Sequence, residues 1–117
     1  MGTPLDRDYW LIRSVPRPGT TADDFARHFD DHMNWVLARE AEGVVFLSGP
    51  LVEGPGVAPG SGITVLRADD AAQAAKIAAE DPFVVAGLRD PEVFRWRVKE
   101  GAIQVSLTLG TGTFTWG

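Results

Sequence analysis

His28 and His32 stand four residues apart in the segment ADDFARHFDDHMNWVLAREA, and they are the only two histidines in the chain. An imidazole with an ordinary pKa of about 6.5 takes and gives protons at neutral pH, so either ring suits general acid–base work. The same i, i+4 spacing on a helix would present two ring nitrogens to one metal ion. The metalloprotease version of that element places a glutamate after the first histidine, whereas here the residue is Phe29, and no spacing supplies a third ligand. No metal is therefore expected. With no cysteine in the chain, thiol catalysis, thiolate metal sites and disulfides are excluded outright.

Helix phase separates the two histidines. At about 100° per residue, Phe25, Phe29 and Val36 fall within roughly 60° of His32, all on one side of it. They form the apolar stripe that must meet the rest of the fold, with His32 at its edge and Arg27, Asp30 and Asn34 pointing away. His28 lies one turn earlier on the same flank, near Trp35 and Arg39. An inward imidazole needs a hydrogen-bond partner, because burying it unpaired costs free energy. Two readings fit: a core histidine tied to a backbone carbonyl, or a proton-transfer group at the lip of a pocket.

Two further motifs carry the same ambiguity. In Asp81-Pro82-Phe83 an aspartate precedes a proline, which is what the start of a short helix wants: a side-chain cap, then a residue needing no donor. Capping alone accounts for the pair. The chemical alternative makes Asp81 the group that orients His32 and stabilises its protonated form, although spacing cannot bring the two into contact. In Ser48-Gly49-Pro50, glycine permits close approach of a ligand and the serine hydroxyl can donate to it, yet Gly-Pro is also ordinary strand-ending chemistry.

The elements that must position these residues follow from periodicity and punctuation. Residues 9–15 read as a strand closed by Pro16, Pro18 and Gly19. Thr20 or Thr21 then caps a helix running to about Glu42, where Gly43 stops it. Residues 44–52 form a second strand interrupted by Gly49-Pro50, and EGPGVAPGSG is a loop. A third strand spans 63–67, and a second helix, capped by Asp69 or Asp70, runs to about Glu80. Residues 93–98 form a fourth strand. Residues 102–109 follow as a further strand, and GTGTFTWG folds back as a short last one. The order β-α-β-β-α-β with an extra C-terminal strand or hairpin is the ferredoxin-like α+β pattern, an antiparallel sheet with two helices on one face.

Both faces of these strands are apolar. Trp10 and Ile12 oppose Tyr9, Leu11 and Val15 on the first strand, and Val45 and Leu47 oppose Val44 and Phe46 on the second. Helices cover only one face, so a second copy packing sheet against sheet is expected, unless the C-terminal strands curl over the open face.

Bulk properties bound the rest. With 117 residues, 44% hydrophobic and 23% charged, the chain reads as one folded domain over 1–117. A net charge of -5, from 11 basic and 16 acidic residues, disfavours nucleic acid and anionic membrane surfaces as partners. The start, MGTPLDRDYW, lacks a signal-peptide pattern, and no apolar run approaches the roughly 20 residues of a membrane span. A cytoplasmic location is the expectation.

His32, Gly43, Gly49-Pro50, Asp81-Pro82-Phe83 and Ala86-Gly87, in that order over residues 9–98, resemble the YCII-related (YciI-like) family. The resemblance implies a ferredoxin-like fold of the dimeric α+β barrel superfamily and a His–Asp pair at the active site, here His32 and Asp81. Ser48, Gly49, Pro50 and Phe83 are then the expected substrate contacts, with His28, which matches no motif position, as a further candidate. The implied activity is cofactor-independent lyase or isomerase chemistry on small cyclic or aromatic compounds, including elimination of chloride from hydroxylated aromatics. The competing expectation is a dimeric module that binds a small ligand in the same pocket without chemistry.

Overall fold

The computed structural model describes residues 6–117. Strand β1 (Arg7–Pro16) leads into helix α1 (Ala22–Ala41), whose first turn is closed by a reciprocal cap. The Thr21 hydroxyl accepts from Asp24 N–H while the Asp24 carboxylate accepts from Thr21 N–H. Gly43, at φ 77°, turns the chain out of α1 into strand β2 (Val45–Pro50), a conformation that side-chain-bearing residues rarely adopt. Strand β3 (Gly62–Leu66), helix α2 (Ala71–Ala79), the single turn α3 (Pro82–Val85) and strand β4 (Arg89–Val98) follow. Strands β5 (Val105–Thr108) and β6 (Thr113–Trp116) form a separate hairpin.

The main sheet has the order β2-β3-β1-β4, antiparallel throughout, and the fold is ferredoxin-like with extra strands after the repeat. Its helix side holds the core, in which Ile12, Val45, Leu66 and Ala78 are buried together with Trp10, Ile77 and Val93 packed around them. Each such aliphatic side chain contributes about 1.5–3 kcal/mol by leaving water. Ala74 and Ala78 are buried one turn apart on α2, and their small size lets that helix lie close to the sheet. The alternation on β1 holds: Trp10 and Ile12 face the helices, and Tyr9 and Leu11 face the other way, opposite Trp96 and Phe94 of β4.

Three local readings needed adjustment. Strand β4 starts at Arg89 rather than Val93, because β4 is an edge strand and Pro91 can sit opposite Ser14 without breaking a ladder on both sides. Strand β2 does not alternate evenly. Val45 pairs with Leu66 and Leu47 with Val65, leaving Phe46 as an inserted residue. Phe46 stacks on Tyr9 on the outer face with ring centroids 5.1 Å apart, and the bulge shifts the phase so that Ser48, opposite Thr64, returns to the helix side. Finally, the last strands are shorter than read, and they form the extra C-terminal hairpin as a sheet of its own.

On the outer face, Leu47, Phe94 and Trp96 remain substantially exposed. Among the described residues no helix is long and apolar enough to cross a membrane.

Candidate active site

Helix α1 turns His32 toward α3, and α3 begins with Asp81. Nδ1 of His32 lies 2.7 Å from Oδ1 of Asp81, both side chains being largely buried at 13% and 7% exposure. That same oxygen accepts the Phe83 N–H at 3.0 Å, so the helix cap and the histidine contact share one carboxylate. The cap fixes the carboxylate by local geometry, with Pro82 supplying the pre-set backbone after it. The His32 ring is held from a second direction as well. It stacks on the Phe83 ring at 4.1 Å between centroids and 13° between planes.

The other carboxylate oxygen is taken by Arg89, the first residue of β4, whose Nη2 donates to Asp81 Oδ2 at 3.0 Å. Arg89 Nη1 donates to the Gly60 carbonyl at 3.2 Å, and its guanidinium lies 4.9 Å over the Phe83 ring. Both members of the Arg89–Asp81 pair are buried, and Arg89 Nε has no partner. Burial by itself raises the pKa of the Asp81 carboxyl. The His32 hydrogen bond and charge, the Arg89 charge and the Phe83 N–H outweigh it, and the net shift is downward. Asp81 therefore remains an acceptor, and a carboxylate there fixes the His32 tautomer with its proton on Nδ1.

His32 opens onto a cavity of about 740 Å³, a size suited to a small organic ligand. Phe25, Phe29, Met33, Val36 and Phe83 give it apolar walls on the helix side, and β2 provides Ser48, Gly49 and Pro50 across from them. The Ser48 hydroxyl lies 3.1 Å from that of Thr64, so one of the two donates to the other. The loop between β2 and β3 closes one end. Gly60, at φ 92°, lies so close to the Phe25 ring that any Cβ would collide with it. A Cβ on Gly62 would stand 3.0 Å from Arg89 Nη1. These two glycines make room for the aromatic wall and for the guanidinium that holds Asp81.

Of the residues expected from sequence, His32, Ser48, Gly49, Pro50 and Phe83 line the cavity. Asp81 stands behind His32, its contact supplied by the fold rather than by spacing. His28 is not among the lining residues, since the helix phase that turns His32 in leaves His28 on the flank. The apolar stripe also divides. Val36 is buried in the core, whereas Phe29 is 52% exposed at the cavity mouth. Sequence reasoning missed Arg89, because Arg-Asp-Pro before Val93 reads as a turn. The only signal was an arginine one residue after the apolar Leu88.

A search among curated proteins gave no match. Among solved structures, the chain is similar to 5-chloro-2-hydroxyhydroquinone dehydrochlorinase from Burkholderia phenoliruptrix, determined in complex with 2,5-dihydroxybenzoquinone. The two share 24% identity at a TM-score of 0.60, over 75% of this chain and 92% of that one, which is a likeness of fold. The YCII-related domain matches residues 9–97, so the chain belongs to the YCII-related family.

Proposed function

We propose that the cavity is the active site of a cofactor-independent lyase or isomerase acting on a small cyclic or aromatic substrate with phenolic or enolic hydroxyls. The observation that carries this reading is the His32–Asp81 hydrogen bond at the wall of an apolar cavity. With Nδ1 engaged by the carboxylate, Nε2 is the nitrogen left to act on a substrate as general base. It takes the proton from an acidic C–H or O–H, and Asp81 stabilises the imidazolium that results. The negative charge developing on the substrate oxygen is met by the Ser48 hydroxyl on the opposite wall. The protonated His32 then returns its proton to carbon in an isomerisation or to the departing group in an elimination. Such keto–enol chemistry on a hydroxylated ring needs only a base and a hydrogen-bond donor. The aromatic walls suit a flat ring, and the dehydrochlorinase of similar fold acts on a chlorinated hydroxyhydroquinone by its name.

We infer further that two copies pack sheet to sheet. Leu47, Phe94 and Trp96 on the outer face are otherwise left in water, and a second copy offers the same apolar surface in return. Light scattering on the purified chain tests this, and a monomer mass would overturn it.

The chemical reading is tested by screening small phenolic and enol acids, chlorinated hydroxyhydroquinones included, for turnover. The His32→Ala variant should lose about 10²–10⁴-fold in kcat with an unchanged circular dichroism spectrum. Full turnover by that variant would overturn the assignment, and tight binding without turnover by the unmodified chain would indicate a ligand-binding module.

A further inference from the structure

The β5–β6 hairpin has a sidedness that the rest of its own chain does not use. The register Val105↔Trp116 and Leu107↔Phe114 puts four large apolar side chains on one face. Ser106↔Thr115 and Thr108↔Thr113 put hydroxyls on the other. This is the pattern of a sheet with one buried face, yet every residue from 99 to 117 is exposed. Among the described residues the hairpin packs on no other element to any substantial extent. The radius of gyration, 16.2 Å, exceeds the roughly 13 Å of a compact chain of this length, as a projecting arm requires. A lone two-stranded ribbon is marginal in water, so this one needs a surface to lie on.

The hairpin brings no charge to that surface, because residues 101–117 contain no Asp, Glu, Lys or Arg, so an apolar surface suits it. The outer sheet face carries the Arg13–Glu92 ion pair and the Arg67 guanidinium over Tyr9 and Phe46, and suits the ribbon poorly. The mouth of the cavity suits it well. Phe29, Leu37 and Val52 are exposed there. They border β2, which among the described residues pairs on one side only and offers free ladder groups to an added strand.

We propose that the β5–β6 hairpin of one copy lies along the β2 edge of a second copy and roofs its cavity with Phe114 and Trp116. The inference rests on the sheet-to-sheet dimer and adds to it a choice of axis. The hairpin follows β4, and β4 and β2 are the opposite edges of the sheet. When two such sheets are related by a two-fold axis parallel to the strands, the β4 edge of each lies over the β2 edge of the other. Each hairpin then arrives at the partner's cavity, reached through a short linker over residues 99–104. Substrate entry and the dryness of the site become properties of the dimer.

Because the chain has no cysteine, introduced thiols report unambiguously. Val52→Cys and Phe114→Cys variants, separately tagged, are mixed and treated with a short bismaleimide. A cross-linked heterodimer should form from the mixture, while neither variant alone gives it. In parallel, Leu107→Ser/Phe114→Ser should raise the dimer Kd at least about tenfold, with circular dichroism reporting an intact main sheet. No heterodimer, or an unchanged Kd, while the unmodified chain remains a dimer would overturn the roofing hairpin and leave the sheet-to-sheet reading standing. A monomeric unmodified chain would overturn both, without touching the role assigned to His32.

Discussion

Oδ1 of Asp81 accepts two hydrogen bonds at once, from the backbone of Phe83 two residues ahead and from the ring of His32 forty-nine residues behind. The first bond is local and forms wherever an Asp-Pro pair opens a helical turn. The second depends on how α1 packs against α3. One carboxylate thereby couples the start of a short helix to the orientation of the imidazole at the cavity wall, and Arg89 on its other oxygen prevents it from rotating.

Asp81→Asn tests the coupling. The amide has the same shape and can keep the cap, but it carries no charge to stabilise a protonated His32 and can hold the ring in the wrong tautomer. We expect kcat to fall by about 10²–10⁴-fold. Affinity for a non-reacting substrate analogue should change only a few-fold. Steady-state kinetics beside calorimetric titration separate the two quantities, and an unaltered kcat would remove Asp81 from the mechanism.

Arg89→Met tests the cost of the buried charge. Removing the guanidinium leaves the Asp81 carboxylate largely desolvated with only His32 to answer it, a change expected to cost about 3 kcal/mol in urea unfolding. Arg89→Met combined with Asp81→Leu should recover much of that loss, since neither charge is then stranded. Equal instability of the single and double variants would show that Arg89 acts through packing on Phe83 instead.

The acid limb of stability has a definite sign. Hydrogen bonds from Arg97 and Arg95 lower the Asp8 pKa to about 2, and the pKa of the Asp81 carboxyl is lowered as well. A carboxylate with a folded pKa below its unfolded one binds fewer protons in the folded chain, so its stabilising contribution is complete above about pH 4 and is lost as pH falls through the folded value. Unfolding free energy measured by urea at successive pH values should therefore decline from about pH 4 toward pH 2. The Asp8 share should shrink in high salt and disappear in Asp8→Asn, because that network is exposed; the Asp81 share should persist in salt. A flat profile over this range would contradict both assignments.

Much of the frame was legible in the residues themselves. A cap at Thr20 or Thr21, the stop at Gly43, a cap of α2 at Asp69 or Asp70 and the alternation on β1 are local patterns that depend on backbone chemistry within a few residues, and the structure settles the caps on Thr21 and Asp70. The edge position of His32 on α1 also followed from helix phase alone. What could not be read was any relation that depends on packing. Sequence separation carries no distance, so the 2.7 Å between His32 and Asp81 came from the way α1 crosses α3. The bulge at Phe46 inverted the phase of β2 and turned Ser48 inward, because one inserted residue exchanges the two faces of every residue beyond it. Arg89 entered the site only because β4 pairs with β1 along its full length, carrying past a proline that an edge strand tolerates. Local residue patterns were enough to place the main helices and strands and the inward edge of α1 at His32, whereas packing brought Asp81 and Arg89 behind it. Elements answer to nearest neighbours along the chain, whereas a site answers to neighbours in space.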